Sequence, residues 1–134
     1  MIWLLLVLYQ IKHFVADYPL QGKFMLGKFK PFPDCLLPLL AHSAVHGALT
    51  FLIASMFKPK AAIWVALLDM LVHGGVDYVK ANPNLGGRFK ALTKDTFASA
   101  DAAAIKSNTY FWWALGADQM AHHLTHYLII WILL

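Results

Sequence analysis

Ten side chains of two types set the chemistry of this chain: His13 and Asp17; His42 and His46; Asp69, His73 and Asp77; and Asp118, His122 and His126. Within each set the interval is four residues, so on a helix each set projects from one face, stacked a turn apart. Imidazole and carboxylate without thiolate form a donor set for a divalent metal, with Zn2+ the first choice and Mn2+ or Fe2+ also fitting. The single Cys35 excludes an internal disulfide and a cysteine-based zinc site. Carboxylate-bridged di-iron bundles rely on Glu and Glu-x-x-His. This chain contains no Glu, and that chemistry is set aside.

The elements that must position these residues are apolar. The 134 residues are 60% hydrophobic and only 13% charged, too apolar for one small water-soluble domain. Four hydrophobic runs, at about 2–20, 36–57, 61–79 and 110–134, each approach the ~20 residues that cross a bilayer. All five tryptophans lie near their ends, where aromatic belts form. The first run lacks a basic leader and keeps its polar pattern to Asp17, so it reads as a retained helix and not a cleaved signal. The expected fold is an all-α membrane protein: one domain over 1–134, a four-transmembrane-helix up-down bundle with a longer loop between helices 3 and 4. Within that loop, Asp95 to Lys106 is Ala-rich and reads as a short interfacial helix, either a lid or a linker on the headgroups.

All seven histidines fall inside the four runs. The pairs come late in helices 1 and 3 and early in helix 2, which brings them to one membrane depth if alternate helices reverse; helix 4 agrees more loosely. An Asp at mid-bilayer costs about 2.5–3.5 kcal/mol even on a lenient scale, so Asp17, Asp69, Asp77 and Asp118 unpaired would cost on the order of 10 kcal/mol. Four carboxylates match two divalent ions in charge, which motivates a dinuclear centre. The expected metal ligands are His13, Asp17, His42, His46, His73, Asp77, Asp118, His122 and His126. Asp69 or Asp118 would serve as general base. Gln21 and Gln119 would orient ligands. Lys80, like Lys12, would meet an anionic substrate or reach to the headgroups. His123 points about 100° away from His122 and reads as a structural hydrogen-bonder. Gly47, Gly74, Gly75 and Gly116 would permit close helix approach.

Loop charge sets the orientation. Lys23, Lys28 and Lys30 lie in the first loop, and Lys80, Arg88, Lys90, Lys94 and Lys106 follow helix 3; only Lys58 and Lys60 lie between helices 2 and 3. Loops 1 and 3 are therefore expected in the cytoplasm and both termini outside, in a bacterial inner membrane. The net charge of +4 does not imply nucleic acid, because no basic stripe alternates with aromatics. The expected partners are the lipid bilayer, an anionic or lipid-like substrate, and a second copy in a homo-oligomer.

The segments His13-Phe-Val-Ala-Asp17-Tyr-Pro-Leu-Gln21, His42-Ser-Ala-Val-His46, His73-Gly-Gly-Val-Asp77-Tyr-Val-Lys80 and Asp118-Gln119-Met-Ala-His122 follow in that order. Together they resemble an uncharacterised family of small bacterial and phage integral-membrane proteins, catalogued as domain of unknown function 3307. The resemblance spans nearly the whole chain and implies the same architecture, with the residues named in those segments as family-type positions; it supplies no substrate. The residues suggest a membrane-embedded, metal-dependent hydrolase acting on a phosphoester or a lipid-associated substrate. Two other readings stay open: a divalent-metal or proton transporter or channel, and a non-catalytic membrane interaction protein.

Overall fold

The structure, a computed structural model, describes residues 1–30, 32–82, 85 and 107–134. The interfacial helix expected over Asp95 to Lys106 lies outside the described residues. Among those described there are four long helices and no strand: α1 (Ile2–Asp17), α2 (Leu36–Phe57), α3 (Pro59–Ala81) and α4 (Thr109–Leu133). A 3₁₀ turn, Met25–Phe29, lies between α1 and α2.

Local chemistry sets these boundaries. α1 stops at Asp17 and not near residue 20, because Pro19 has no N–H to carry the ladder past Tyr18, which still donates to Phe14 O. Pro59 opens α3 at its first turn, two residues earlier than the expected 61. Lys58 alone separates α2 from α3, and its ammonium donates to Ile132 O (2.8 Å), satisfying a carbonyl at the end of α4. Asn108 caps α4, accepting from Phe111 N at 3.0 Å.

Each helix runs antiparallel to its neighbours in sequence. Lys12 and Asp17 of α1 meet His46 of α2, Thr50 meets Asp69 of α3, Lys80 meets Asp118 of α4, and His13 returns to Gln119. α1 therefore packs on both α2 and α4, closing the bundle. Its interior is divided along the axis. At the end holding both termini, Leu5, Tyr9, Ala54, Ala62, Val65, Ile129, Ile130 and Leu133 form an apolar core. At the other end the interior is polar.

The bundle is inside-out relative to a water-soluble one. Among the described residues it buries thirteen polar or charged side chains and, with Pro38, thirteen apolar ones, while Trp3, Trp64, Leu71 and Trp131 project outward. Two of the helices, Leu36–Phe57 and Pro59–Ala81, are long and apolar enough to cross a membrane. α1 has only 16 residues, and α4 carries Asp118 with three histidines.

Two glycines account for the close approach of α2 and α3. A Cβ on Gly47 would stand 3.0 Å from Met70 Cβ and 3.1 Å from the Ala66 carbonyl oxygen, and one on Gly74 would stand 3.3 Å from Ser43 Oγ. Gly75 and Gly116 have open space instead, so the close-packing role expected of them does not hold. Gly47→Ala must push backbone apart and is expected to lower the thermal midpoint in detergent. Gly75→Ala should be neutral or stabilising by up to about 1 kcal/mol, through helix propensity. Parallel unfolding of the two variants checks the contrast.

Candidate metal centre

The polar half of the bundle begins where α1 ends. Asp17 projects from its last turn toward His42 and His46 of α2, which lie one turn apart, and toward His73 of α3. One ligand atom from each of the four lies within 4.8 Å of the others. Asp17 Oδ1 is 2.9 Å from His46 Nε2, 3.3 Å from His42 Nε2 and 3.8 Å from His73 Nε2, and the two imidazole nitrogens of His42 and His73 stand 3.1 Å apart. Bonds of about 2.0–2.1 Å to a tetrahedral ion separate its ligands by about 3.3 Å. The observed edges scatter around that value. The three histidines are buried almost completely, and Asp17 is the partly exposed member at 18%.

A second group shares one residue with the first: His73, Asp77 and His122 also bring ligand atoms within 4.8 Å. The imidazoles of His46, His73 and His122 stack in a column, with centroids 3.4 Å and 4.0 Å apart, and His73 is the middle ring. His42 Nε2 bridges the groups, 3.3 Å from Asp17 and 3.3 Å from Asp77 Oδ2. His73 directs Nε2 at both groups and can give that nitrogen to only one ion at a time.

Three lysines change the charge sum. Lys28 lies on the 3₁₀ turn, 7% exposed, and its ammonium donates to Asp77 Oδ2 at 2.6 Å. Lys80, one turn beyond Asp77, donates to Asp118 Oδ2 at 2.7 Å. Lys12 is buried against Asp69. Three of the four helix carboxylates are thus neutralised within the chain, and among the described residues Asp17 forms no ion pair with a lysine. With three of them paired, the four carboxylates no longer call for two divalent ions to balance their charge.

A turn deeper, toward the apolar core, is a separate network. Asp69 accepts from Lys12 and Thr50, while His126 Nε2 lies 3.5 Å from Lys12 and 3.7 Å from Asp69. Asp69, 1% exposed, faces an ammonium and not the ligand groups, which removes the geometry for a general base. His126 likewise belongs to this network and to neither ligand group. Lys12 also donates to His46 Nδ1 at 3.1 Å. That contact suits a His46 that carries its hydrogen on Nε2 and donates to Asp17. Ligation through Nε2 requires the hydrogen to move to Nδ1, and Lys12 then keeps its contacts with Asp69 and His126.

The remaining expected residues divide. His13 stands beside the centre, its Nε2 3.2 Å from both Asp17 Oδ2 and Gln119 Oε1, outside the two groups. Gln119 also donates to Asp118 Oδ2 at 3.1 Å. Asp118 turns Oδ1 to His122 Nε2 at 3.5 Å. Gln21 is half-buried past the end of α1 and makes no side-chain hydrogen bond among the described residues. His123 pairs with Gln10 at 3.2 Å on the outer face. Sequence reasoning missed Lys28, counted there as loop charge, and Thr50, one more step of four beyond His46.

Nothing in the comparisons gives the chain a relative: no family model, no curated protein and no solved structure matches it.

Proposed function

We propose that this chain is an intramembrane divalent-metal protein, holding one ion, Zn2+ by donor chemistry, on Asp17, His42, His46 and His73, and acting as a hydrolase on a phosphoester or lipid-associated substrate. The observation that carries the reading is the convergence of three buried Nε2 atoms on Asp17, the one helix carboxylate that no lysine among the described residues neutralises.

All four helices cross the bilayer in this reading, as the inverted interior and the resemblance to the domain of unknown function 3307 family both favour. The 16 residues of α1 rise about 24 Å, short of the ~30 Å hydrocarbon core. Asp17, at its end, then lies near headgroup depth. Loop charge favours the cytoplasm for that side, and the family resemblance favours a bacterial inner membrane.

A bound ion supplies a water activated for attack and a Lewis acid for the phosphoryl oxygen. At rest His73 would stay with the first ion; were it to turn to Asp77 and His122, which it also faces, Asp17, His42 and His46 would remain as three ligands, as in catalytic zinc sites. With an ion bound, His13, held by Gln119 beside Asp17, would be placed to take the proton of the attacking water and return it to the leaving ester oxygen. Lys80, with 28% of its side chain exposed, meets the anion at the mouth. Against transport by a single chain, the polar column ends at Tyr9 and Thr50, and Leu5, Ala54, Val65 and Ile129, all almost fully buried, fill the bundle beyond.

Zn2+-loaded protein in mixed micelles should cleave a chromogenic phosphodiester or a phospholipid headgroup ester, and Asp17→Asn should abolish turnover. A loaded wild type that turns over neither class overturns the hydrolase assignment and leaves metal binding to its own test.

A further inference from the structure

We propose that Asp77, His122 and Asp118 form a second, latent divalent-cation site, whose place is held by the Lys28 ammonium carried on the loop between α1 and α2. The inference rests on the reading of the Asp17 group as the first ion site.

The geometry of each carboxylate points to it. Asp77 gives Oδ2 to Lys28 and turns Oδ1 toward His122 Nε2, 3.9 Å away. Asp118 gives Oδ2 to Lys80 and turns Oδ1 to the same nitrogen at 3.5 Å. That Oδ1 is buried and accepts no hydrogen bond, although Asp118 is only 5% exposed. A carboxylate oxygen left so is costly unless a cation meets it. His122 and Asp77 already lie within ligating reach of each other and of His73. With His73 committed to the first ion, Asp118 is the third donor.

Charge makes the exchange feasible. Two ammonium groups leaving for one divalent ion keep the local sum unchanged. Neither lysine is locked in place by its helix. Lys28 comes from the 3₁₀ turn, and Lys80 is partly exposed at the mouth. The loop is seated firmly when Lys28 is in: a Cβ on Gly27 would fall 2.8 Å from Pro38. Once displaced, both ammonium groups stand beside the centre with no carboxylate partner, where a phosphate-class anion would pair with them. Loading the second cation and binding the anionic substrate are coupled by this exchange.

The test titrates detergent-purified full-length protein with Zn2+ and counts bound ions by elemental analysis. Lys28→Met should bind a further ion per chain relative to wild type, Lys28→Arg should keep the wild-type count, and adding His122→Ala to Lys28→Met should remove the gained ion. Should the Met variant lose helicity, Lys28→Gln provides the same comparison. A loaded wild type with no gain in a folded Lys28→Met or Lys28→Gln variant overturns this inference and leaves the first site standing, as does a wild type that already fills both sites. A wild type without metal whose Lys28 variant gains an ion overturns the first site instead. Metal in neither overturns both.

Discussion

His73→Ala is expected to cost the protein its bound ion, with affinity falling by more than about 100-fold, because loss of a mere orienting partner already costs about 10–100-fold. His73 is the middle ring of the imidazole column and the one residue common to both ligand groups. Asp17→Asn should weaken binding comparably while preserving shape, since it removes the one helix carboxylate that no lysine among the described residues balances. His126→Ala should leave the ion in place, because that ring faces Lys12 and Asp69 one turn away. Competition with a zinc-chelating dye reads all three. Equal retention by His73→Ala and His126→Ala would contradict the assignment.

The second large effect concerns stability. Lys12 and Asp69 are each about 2% exposed and lie between the ligand groups and the apolar core. Removing one partner strands the other in a low-dielectric interior, which costs about 3–5 kcal/mol where such pairs have been broken. That is a large part of the 5–15 kcal/mol that holds a typical domain folded. Lys12→Met should therefore destabilise severely, and Asp69→Leu should do the same. The double variant should be much less affected than the sum of the two, because it leaves no uncompensated charge. Unfolding in bicelles gives the coupling. Additive losses would mean that Thr50 and His126, and not the ion pair, satisfy Asp69.

The stripes were legible because a four-residue interval has one geometric meaning on a helix, and apolar flanks left no other element to carry it. Their common depth followed from alternating chain direction. Asp17, His42, His46, His73, Asp77 and His122 do meet in the folded chain. The charge balance was not legible. Lys28 reaches Asp77 only because Gly27 lets the loop fold tightly onto Pro38, a tertiary contact with no local signature. Lys12 and Lys80 have stems long enough to reach either headgroups or interior, and only the positions of Asp69 and Asp118 across the bundle decide between them. Asp69 and His126 fit the four-residue pattern, yet Lys12 lies between them and the ligand groups. Proximity in sequence to Asp118 or His73 gave Gly116 and Gly75 a packing role that the helix faces deny them. The end of α1 was overrun by three residues, for a reason the sequence does contain in Pro19.

One divalent ion held by Asp17, His42, His46 and His73 is read out by elemental analysis of the wild-type protein. The chain should be purified in detergent from metal-replete cells and freed of loosely bound metal by size exclusion. About one transition-metal ion per chain is expected, as a closed four-donor set would hold. A helical, cooperatively unfolding preparation that carries no stoichiometric metal, and takes up none on adding Zn2+, would contradict it.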